Sequence, residues 1–514
     1  MVKGFRSASE VGMFLTSLVV GLTMVMGPNA INSAPSFMLD YYKYIDKDQN
    51  ATPVFSSFWV NVLTYYTVVT LVSQALHEPT NLTTFMCRFS LLSRMQVSVL
   101  VMLVELIVIV VLPHSGASEA SAIAGIVIVA YLGGAARAYF ENTGYALFGP
   151  CPPKMLTGML VGSAASSALV SVIQIVLKGV MPDTYASVLT QSIIYFSLAL
   201  GIIFLGGVLL LSLLCNPFAR HYVAEFRSHR SIWHNVYRKT SAARAAQAAT
   251  AAVAGDGELA AVAAAEPIAT ADGHHLPVLD DDMLFDDRAP REDRADAAAL
   301  KQRQLDDGND DESGGRPSLA KDGAVAAGTV ASSDADEQEP LTTAELLQGV
   351  RLWPVVREIY PMMISCVLTF GITYLVYPGM LTAVDPEDGW YTTIVMAIYN
   401  FGDLVGRCLT LIKVLWVPRK VVVIGSIVRI IFIPLLILCA AKQIPSHAAA
   451  YVFTAVLAVS NGFFGTLSMV YAPETPALRT EGERALAGQT NGVMLLAGCA
   501  IGSLVQIGLV MPFS

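Results

Sequence analysis

Asp403 and Arg407 stand four residues apart in the segment Asn400-Phe401-Gly402-Asp403-Leu404-Val405-Gly406-Arg407. The stretch around them is otherwise apolar enough to lie in lipid. Four residues is about one helical turn, so the carboxylate and the guanidinium share a face and can pair. Asn400, one turn earlier, adds an amide to the stripe. A sugar-like diol or the edge of a heterocycle requires this mixture of acceptor, forked donor and amide, because buried polar groups must find partners. The same two charges could instead form an ion pair that locks an inner gate, and periodicity leaves both readings open. Arg137 and Glu141 repeat the spacing elsewhere in the chain. They are either a self-neutralising pair, or Glu141 faces a central cavity as an acceptor or as a carboxyl that titrates when buried. Glu105 is alone in Met102-Leu103-Val104-Glu105-Leu106-Ile107; a structural role is expected for it, with Arg137 or Arg429 as partner. A charge at mid-membrane costs about 2.5–3.5 kcal/mol on insertion scales, so each of these six embedded groups is a functional candidate.

The elements that must position them are hydrophobic stretches of transmembrane length. The chain has 514 residues, 54% hydrophobic and only 14% charged, where a soluble domain carries about a quarter charged residues. Eleven stretches read as membrane-spanning helices: 11–38, 54–76, 96–113, 120–142, 155–177, 189–215, 359–381, 391–412, 420–440, 447–471 and 487–511. In lipid each must satisfy its own backbone hydrogen bonds, so an all-α polytopic membrane protein is expected. The first stretch is too long for a cleaved signal peptide and carries Asn29 and Asn32. Gly27-Pro28-Asn29 and Pro35 should kink it and free backbone groups near mid-membrane. The GxxxG spacings at Gly158/Gly162, Gly488/Gly492 and Gly498/Gly502 are read as close helix packing.

Net charge is −9, but it is unevenly distributed. Residues 241–350 hold 23 acidic and 8 basic side chains, a net of −15, which leaves 18 acidic and 24 basic, a net of +6, for the rest. The expected organisation is an N-terminal six-helix bundle over 1–215, an acidic, mostly disordered cytoplasmic loop over 216–350, and a C-terminal five-helix bundle over 351–514. Outside the acidic segment, an inner N-terminus puts 17 Lys and Arg on the cytoplasmic side and only Lys43, Lys47, Lys178 and Lys442 outside. Eleven spans then bring the C-terminus outside.

This composition argues against a cytosolic enzyme, and the acidic balance against a nucleic-acid partner. No catalytic constellation, metal motif or cofactor motif is present, and none of the seven Cys is placed for an extracellular disulfide. Six spans, a long inner loop and five spans outline a solute carrier of the major-facilitator type, with two halves around a central path. A sugar or drug carrier on that fold is one reading. A membrane receptor or scaffold whose acidic loop docks partners is another.

The later spans carry a family pattern. Asp403-Leu404-Val405-Gly406-Arg407 is similar to the D-x-x-G-R motif of the equilibrative nucleoside transporters, with Asn400 three residues before it. Arg429-Ile430-Ile431-Phe432-Ile433-Pro434-Leu435 is similar to their R-x-x-F-x-P-L pattern, and Ser460-Asn461-Gly462 to their S-N-G segment. The chain resembles the protozoan purine nucleoside and nucleobase branch, except over 216–350. The resemblance implies purine nucleoside or nucleobase transport by alternating access across the plasma membrane. It implies ligand contact by Asp403 and Arg407, and by Glu141 where the family commonly has Gln. Asn29 matches a family Asn, but Gly27-Pro28-Asn29 lacks the aromatic of the usual Pro-Trp-Asn. A carboxyl at Glu141 would allow a proton to travel with the substrate.

Overall fold

The computed structural model describes residues 5–182, 184–227, 341–385 and 388–510; most of the acidic segment expected as a loop lies outside them. The described chain is built from helices: α1 (Ala8–Asn32), α2 (Val62–His77), α3 (Leu91–Val111), α4 (Glu119–Phe148), α5 (Pro153–Val180), α6 (Tyr185–Ser212), α7 (Leu352–Val376), α8 (Gly389–Leu409), α9 (Arg419–Ala440), α10 (His447–Tyr471) and α11 (Glu481–Val510). Polar caps mark where several begin. Ser90, Ser118, Asp388 and Ser446 each accept from a backbone N–H of the first turn of α3, α4, α8 and α10, supplying partners that the helix itself cannot.

Among the described residues nine helices are long and apolar enough to cross a membrane. α2 and α8 are not among them. The stretch expected at 54–76 is divided: Ser56–Val60 is a separate short helix, the chain turns at Asn61, and α2 keeps 16 residues. α8 has 21 residues, and Asn400, Asp403 and Arg407 lower its hydropathy. Three further boundaries need correction. The stretch expected over 11–38 is divided: α1 contains Pro28 and ends at Asn32, and Pro35 opens the next short helix. α9 is interrupted by a 3-10 turn at Arg429–Ile431. α11 starts at Glu481, six residues before the apolar stretch, because Glu481 and Glu483 favour the positive end of the helix dipole.

Small residues set how closely the helices approach. α1 packs on α5, where a Cβ on Gly21 would strike the Met159 carbonyl and one on Gly162 the Leu18 carbonyl. α8 packs on α10 through Gly406 and Gly462, each lying against the other helix's backbone. Gly498 and Gly502 let α11 lie against α7, and Gly488 and Gly492 meet Tyr145 of α4. The GxxxG spacings thus serve packing, without the interior cavity contact that an open glycine would signal.

The starts of α1, α5 and α11 meet at one end of the molecule. There Lys154 pairs with the buried Glu10, and Arg227 with Glu481. Glu481 also accepts from the Ala224 N–H at 2.6 Å and the Thr343 hydroxyl at 3.1 Å. The starts of α3, α7 and α9 lie at this end too, through Glu225, Thr343 and Glu474, so Arg6, Arg88, Arg351, Arg419 and Lys420 make it the basic end. Around the waist, large apolar side chains stay exposed, among them Phe204, Ile424, Val428 and Leu504; lipid contact accounts for such a surface.

Candidate functional site

α5 and α8 run antiparallel and are joined by polar rungs along their length. Lys178 donates to the Gly389 carbonyl at 2.7 Å and to Thr393 Oγ1 at 3.0 Å. Asn400 donates to Ser171 Oγ at 2.8 Å. Arg407 Nη1 donates to the Leu160 carbonyl and to Ser163 Oγ, each at 3.0 Å. Thr393, Asn400 and Arg407 are spaced by seven, so one stripe of α8 faces α5. Sequence reading found the lower part of this stripe but missed its serine partners. Ser163 and Ser171 sit in a segment where serines are frequent and carry no distinguishing signal.

Asp403 belongs to the same helix but reaches two ways. Its Oδ2 lies 2.9 Å from Arg407 Nε, so the expected pair is formed. Its Oδ1 accepts from Asn461 Nδ2 of α10 at 2.7 Å. Asn461 Oδ1 in turn accepts from Thr373 Oγ1 of α7 at 2.8 Å. Arg429 closes the network from α9, donating to Thr373 Oγ1, to the Thr369 carbonyl and to Ser460 Oγ. A buried guanidinium in lipid must use its donors, and Arg429 does so on neutral oxygens rather than on Glu105. The 3-10 turn at Arg429 places it where α7 and α10 can both supply acceptors. Asn461 is thus the connection between the two motif arginines. The S-N-G segment contained it, but nothing in its spacing indicated contact with Asp403.

In the first six helices the self-neutralising pair of Arg137 with Glu141 is not formed. Arg137 Nη1 lies 2.7 Å from Glu105 Oε2 across the α3–α4 interface, and its Nη2 lies 3.3 Å from Oε1. Tyr66 donates to the same carboxylate at 2.7 Å. Glu105 is therefore paired, and Arg137 is its partner. Gly133 makes room, since a Cβ there would fall on the Glu105 carboxylate. Glu141 instead accepts from Tyr145 at 2.7 Å, one turn further along α4. It remains half-buried and feels the Arg407 charge.

Asn29 is engaged with protein. Its amide donates to Ser166 Oγ at 3.1 Å and Ser167 Oγ at 3.0 Å, joining α1 to α5. Two features were not foreseen. Glu78, just beyond the apolar stretch that became α2, is buried; one carboxylate oxygen accepts from Asn142 at 2.9 Å, and the other has no partner among the described residues. It lies outside every apolar stretch, so the sequence pattern does not mark it as an embedded charge. Near Asp403, Tyr377 and Tyr399 stack with ring centroids 3.9 Å apart, and Tyr374 meets Tyr377 edge-on. Aromatics in an apolar helix resemble core residues in a sequence, so their grouping emerges only with the fold.

Among the described residues no group of His, Cys, Asp and Glu could hold a metal ion, and all seven cysteines are free. The arrangement offers hydrogen bonding, an ion pair and stacking, all on helices that touch across a seam.

Comparison with known proteins agrees with that character. Residues 304–510 match the family model described as nucleoside transporter. The nucleoside transporter 2 of Leishmania donovani is 32% identical, covering 99% of this chain and 96% of its own. The adenosine transporter 1 of Crithidia fasciculata is 30% identical, covering 98% and 94%. Among solved structures, the major facilitator superfamily proton:xylose symporter XylE bound to 6-bromo-6-deoxy-D-glucose superposes with a TM-score of 0.52 at 11% identity, over 97% of this chain and 88% of that one. At that identity the likeness shows the fold alone.

Proposed function

This chain belongs to the nucleoside transporter family, in its protozoan branch, and from that membership we propose that it carries purine nucleosides or nucleobases by alternating access. It is a multi-pass membrane protein, and it is a transporter rather than an enzyme, receptor or scaffold. The observation that carries the reading is the position of Asp403. One carboxylate is held by Arg407, whose Nη1 reaches α5, and by Asn461 of α10, so a ligand bound there lies beside the α5–α8 seam.

The proposed chemistry follows from those contacts. A ribose diol or base edge donates to Asp403 and accepts from Arg407, displacing the bonds from Arg407 to Leu160 and Ser163. Those bonds help hold α8 to α5. Substrate therefore has different affinities for the closed and the parted seam, which is the condition for a ligand to shift the two. The tyrosine group at 374, 377 and 399 supplies a stacking wall, as purines require. Asn400 and Asn29 line the path further along α5. Glu105 and Arg137 brace α3 against α4, and Arg429 braces α7, α9 and α10.

The eleven helices are proposed as eleven spans, with bundles of six (1–215) and five (351–514) joined by a cytoplasmic segment at 216–350. The basic end faces the cytoplasm, the C-terminus lies outside, and the plasma membrane is the site of action. Glu141, held by a neutral tyrosine rather than by an arginine, is proposed to take up a proton that moves with substrate. A competition panel tests the substrate class: unlabelled purine nucleosides or bases should suppress radiolabelled purine uptake, whereas sugars should not. Suppression by sugars, with none by purines, would overturn the reading in favour of a sugar carrier.

A further inference from the structure

Away from the seam, a cleft of 420 Å³ opens at the basic end between the starts of α7 and α9. It is lined by Glu358, Pro361 and Met362 of α7, Arg419, Lys420, Val423 and Ile424 of α9, and Thr475. Pro361, Met362, Val423 and Ile424 make an apolar wall, and Ile424 is 59% exposed. Tyr360, Ile364, Ile427 and Val428 beside it are exposed as well. The cleft therefore faces lipid rather than the substrate path.

Its mouth is charged. Arg419 and Lys420 are the first two residues of the helix Arg419–Val428, and their N–H groups have no acceptor within it, whereas those of Val421 and Val422 donate to the Pro418 carbonyl. Arg419 is steadied by the carbonyls of Tyr471 and Glu474. Lys420 is exposed, and neither a hydrogen bond nor an ion pair engages it among the described residues. Glu358 supplies the carboxylate of the cleft lining, and Glu474 lies close enough to Arg419 to offset its charge. Trp353, 77% exposed in the first turn of α7, marks the depth as the headgroup region, where amphipathic rings settle.

We infer that this cleft is a binding site for an anionic phospholipid with a hydroxyl-bearing headgroup. The phosphate lies on Lys420 and the opening N–H groups of α9, a headgroup hydroxyl donates to Glu358, and an acyl chain occupies the wall formed by Met362, Val423 and Ile424. Lys420, engaged by no ion pair among the described residues while Glu474 offsets Arg419, favours a net negative headgroup over a zwitterionic one. Basic pockets between helices at the membrane surface bind such headgroups. A bound lipid would tie α7 to α9 beside the segment that leads into α11. This site is independent of the substrate reading, because none of its residues takes part in the Asp403 network.

The test uses the full chain reconstituted in phosphatidylcholine vesicles containing a minority of phosphatidylglycerol, then extracted and weighed intact by native mass spectrometry. Wild type should retain one phosphatidylglycerol in preference to phosphatidylcholine. Lys420→Glu should weaken that retention about thirtyfold, the effect of two unit charges at an anionic headgroup. Lys442→Glu, at the opposite end, should not weaken it. Should Lys420→Glu fail to fold, Ile424→Trp, which fills the apolar wall from an exposed position, must give the same loss. Equal retention of the two lipids by wild type, or undiminished retention in either cleft variant, would overturn the assignment. Displacement by inorganic phosphate would also overturn it, since the acyl chain would then contribute nothing.

Discussion

Arg137 on α4 bonds Glu105 on α3, 2.7 Å away, and leaves Glu141, one turn along its own helix, to Tyr145. The two carboxylates thus have opposite circumstances. Glu105 is neutralised by a cation in a fully buried pair. Glu141 has a phenol and a partly open environment. That division makes Glu141 available for chemistry while Glu105 is committed to structure.

Breaking the committed pair should be costly. Glu105→Gln strands the Arg137 guanidinium among α2, α3 and α4, with an expected loss of about 3–5 kcal/mol. Surface expression and thermal stability should both fall. Replacing both residues with leucine removes the stranded charge and should recover much of the loss. Wild-type stability of Glu105→Gln would show that the pair contributes nothing.

For Glu141, the informative change is Glu141→Gln. Glutamine still accepts from Tyr145, so folding should be retained. Under proton symport, wild-type uptake rises in acidic medium and falls with an uncoupler, and the variant loses both responses. If uptake by wild type ignores both pH and uncoupler, the symport proposal fails.

The α8–α10 contact predicts a sharp steric effect. Gly406→Ala and Gly462→Ala each put a methyl against the other helix's backbone, and overpacking of this kind costs about 1–3 kcal/mol. The shift also lengthens the Asp403–Asn461 bond, so uptake should fall more than surface level does. Gly201→Ala and Gly508→Ala enter open space and serve as controls. Uptake by all four at the same level would refute the packing argument.

Lys413, in the connection after α8, gives a pH prediction outside the spans. Burial, with the Lys154 charge adding to it and Glu474 opposing, lowers its pKa from 10.5 to about 8. Between about 8 and 10.5 the unfolded chain holds the extra proton, so stability should rise with pH across that window. Lys413→Met should flatten the rise and stabilise the protein at pH 7, by no more than about 2 °C given its partial exposure. A melting-temperature series against pH measures it. An unchanged slope in the variant would contradict the cause.

How much of this was legible beforehand depends on what kind of signal each feature leaves. Apolar length marked the spans, and the i to i+4 spacing marked Asp403 with Arg407. Helix ends were less legible, because Glu481 and Glu483 begin α11 through the dipole and carry no apolar signal. Pro28 lies inside the continuous α1, and the helix gives way only at Ser33–Ala34, just ahead of Pro35. Partners across helices were the least legible. Spacing left Arg137 free to pair with Glu141, and Glu105 with Arg137 or Arg429; the fold sets Glu105 opposite Arg137. Ser163, Ser171, Asn461 and the stacked Tyr377 and Tyr399 acquire meaning only when α5, α7, α8 and α10 are brought together.

The central claim is that the Asp403–Arg407 pair binds a purine substrate at the seam. It is tested most directly by radiolabelled purine nucleoside and nucleobase uptake into vesicles holding equal amounts of folded wild type, Asp403→Asn and Arg407→Ala. Folding must be checked by melting temperature, because losing one charge strands the other. Saturable purine uptake by wild type, abolished in both folded variants, is the predicted result. Wild-type uptake by both variants would contradict the account.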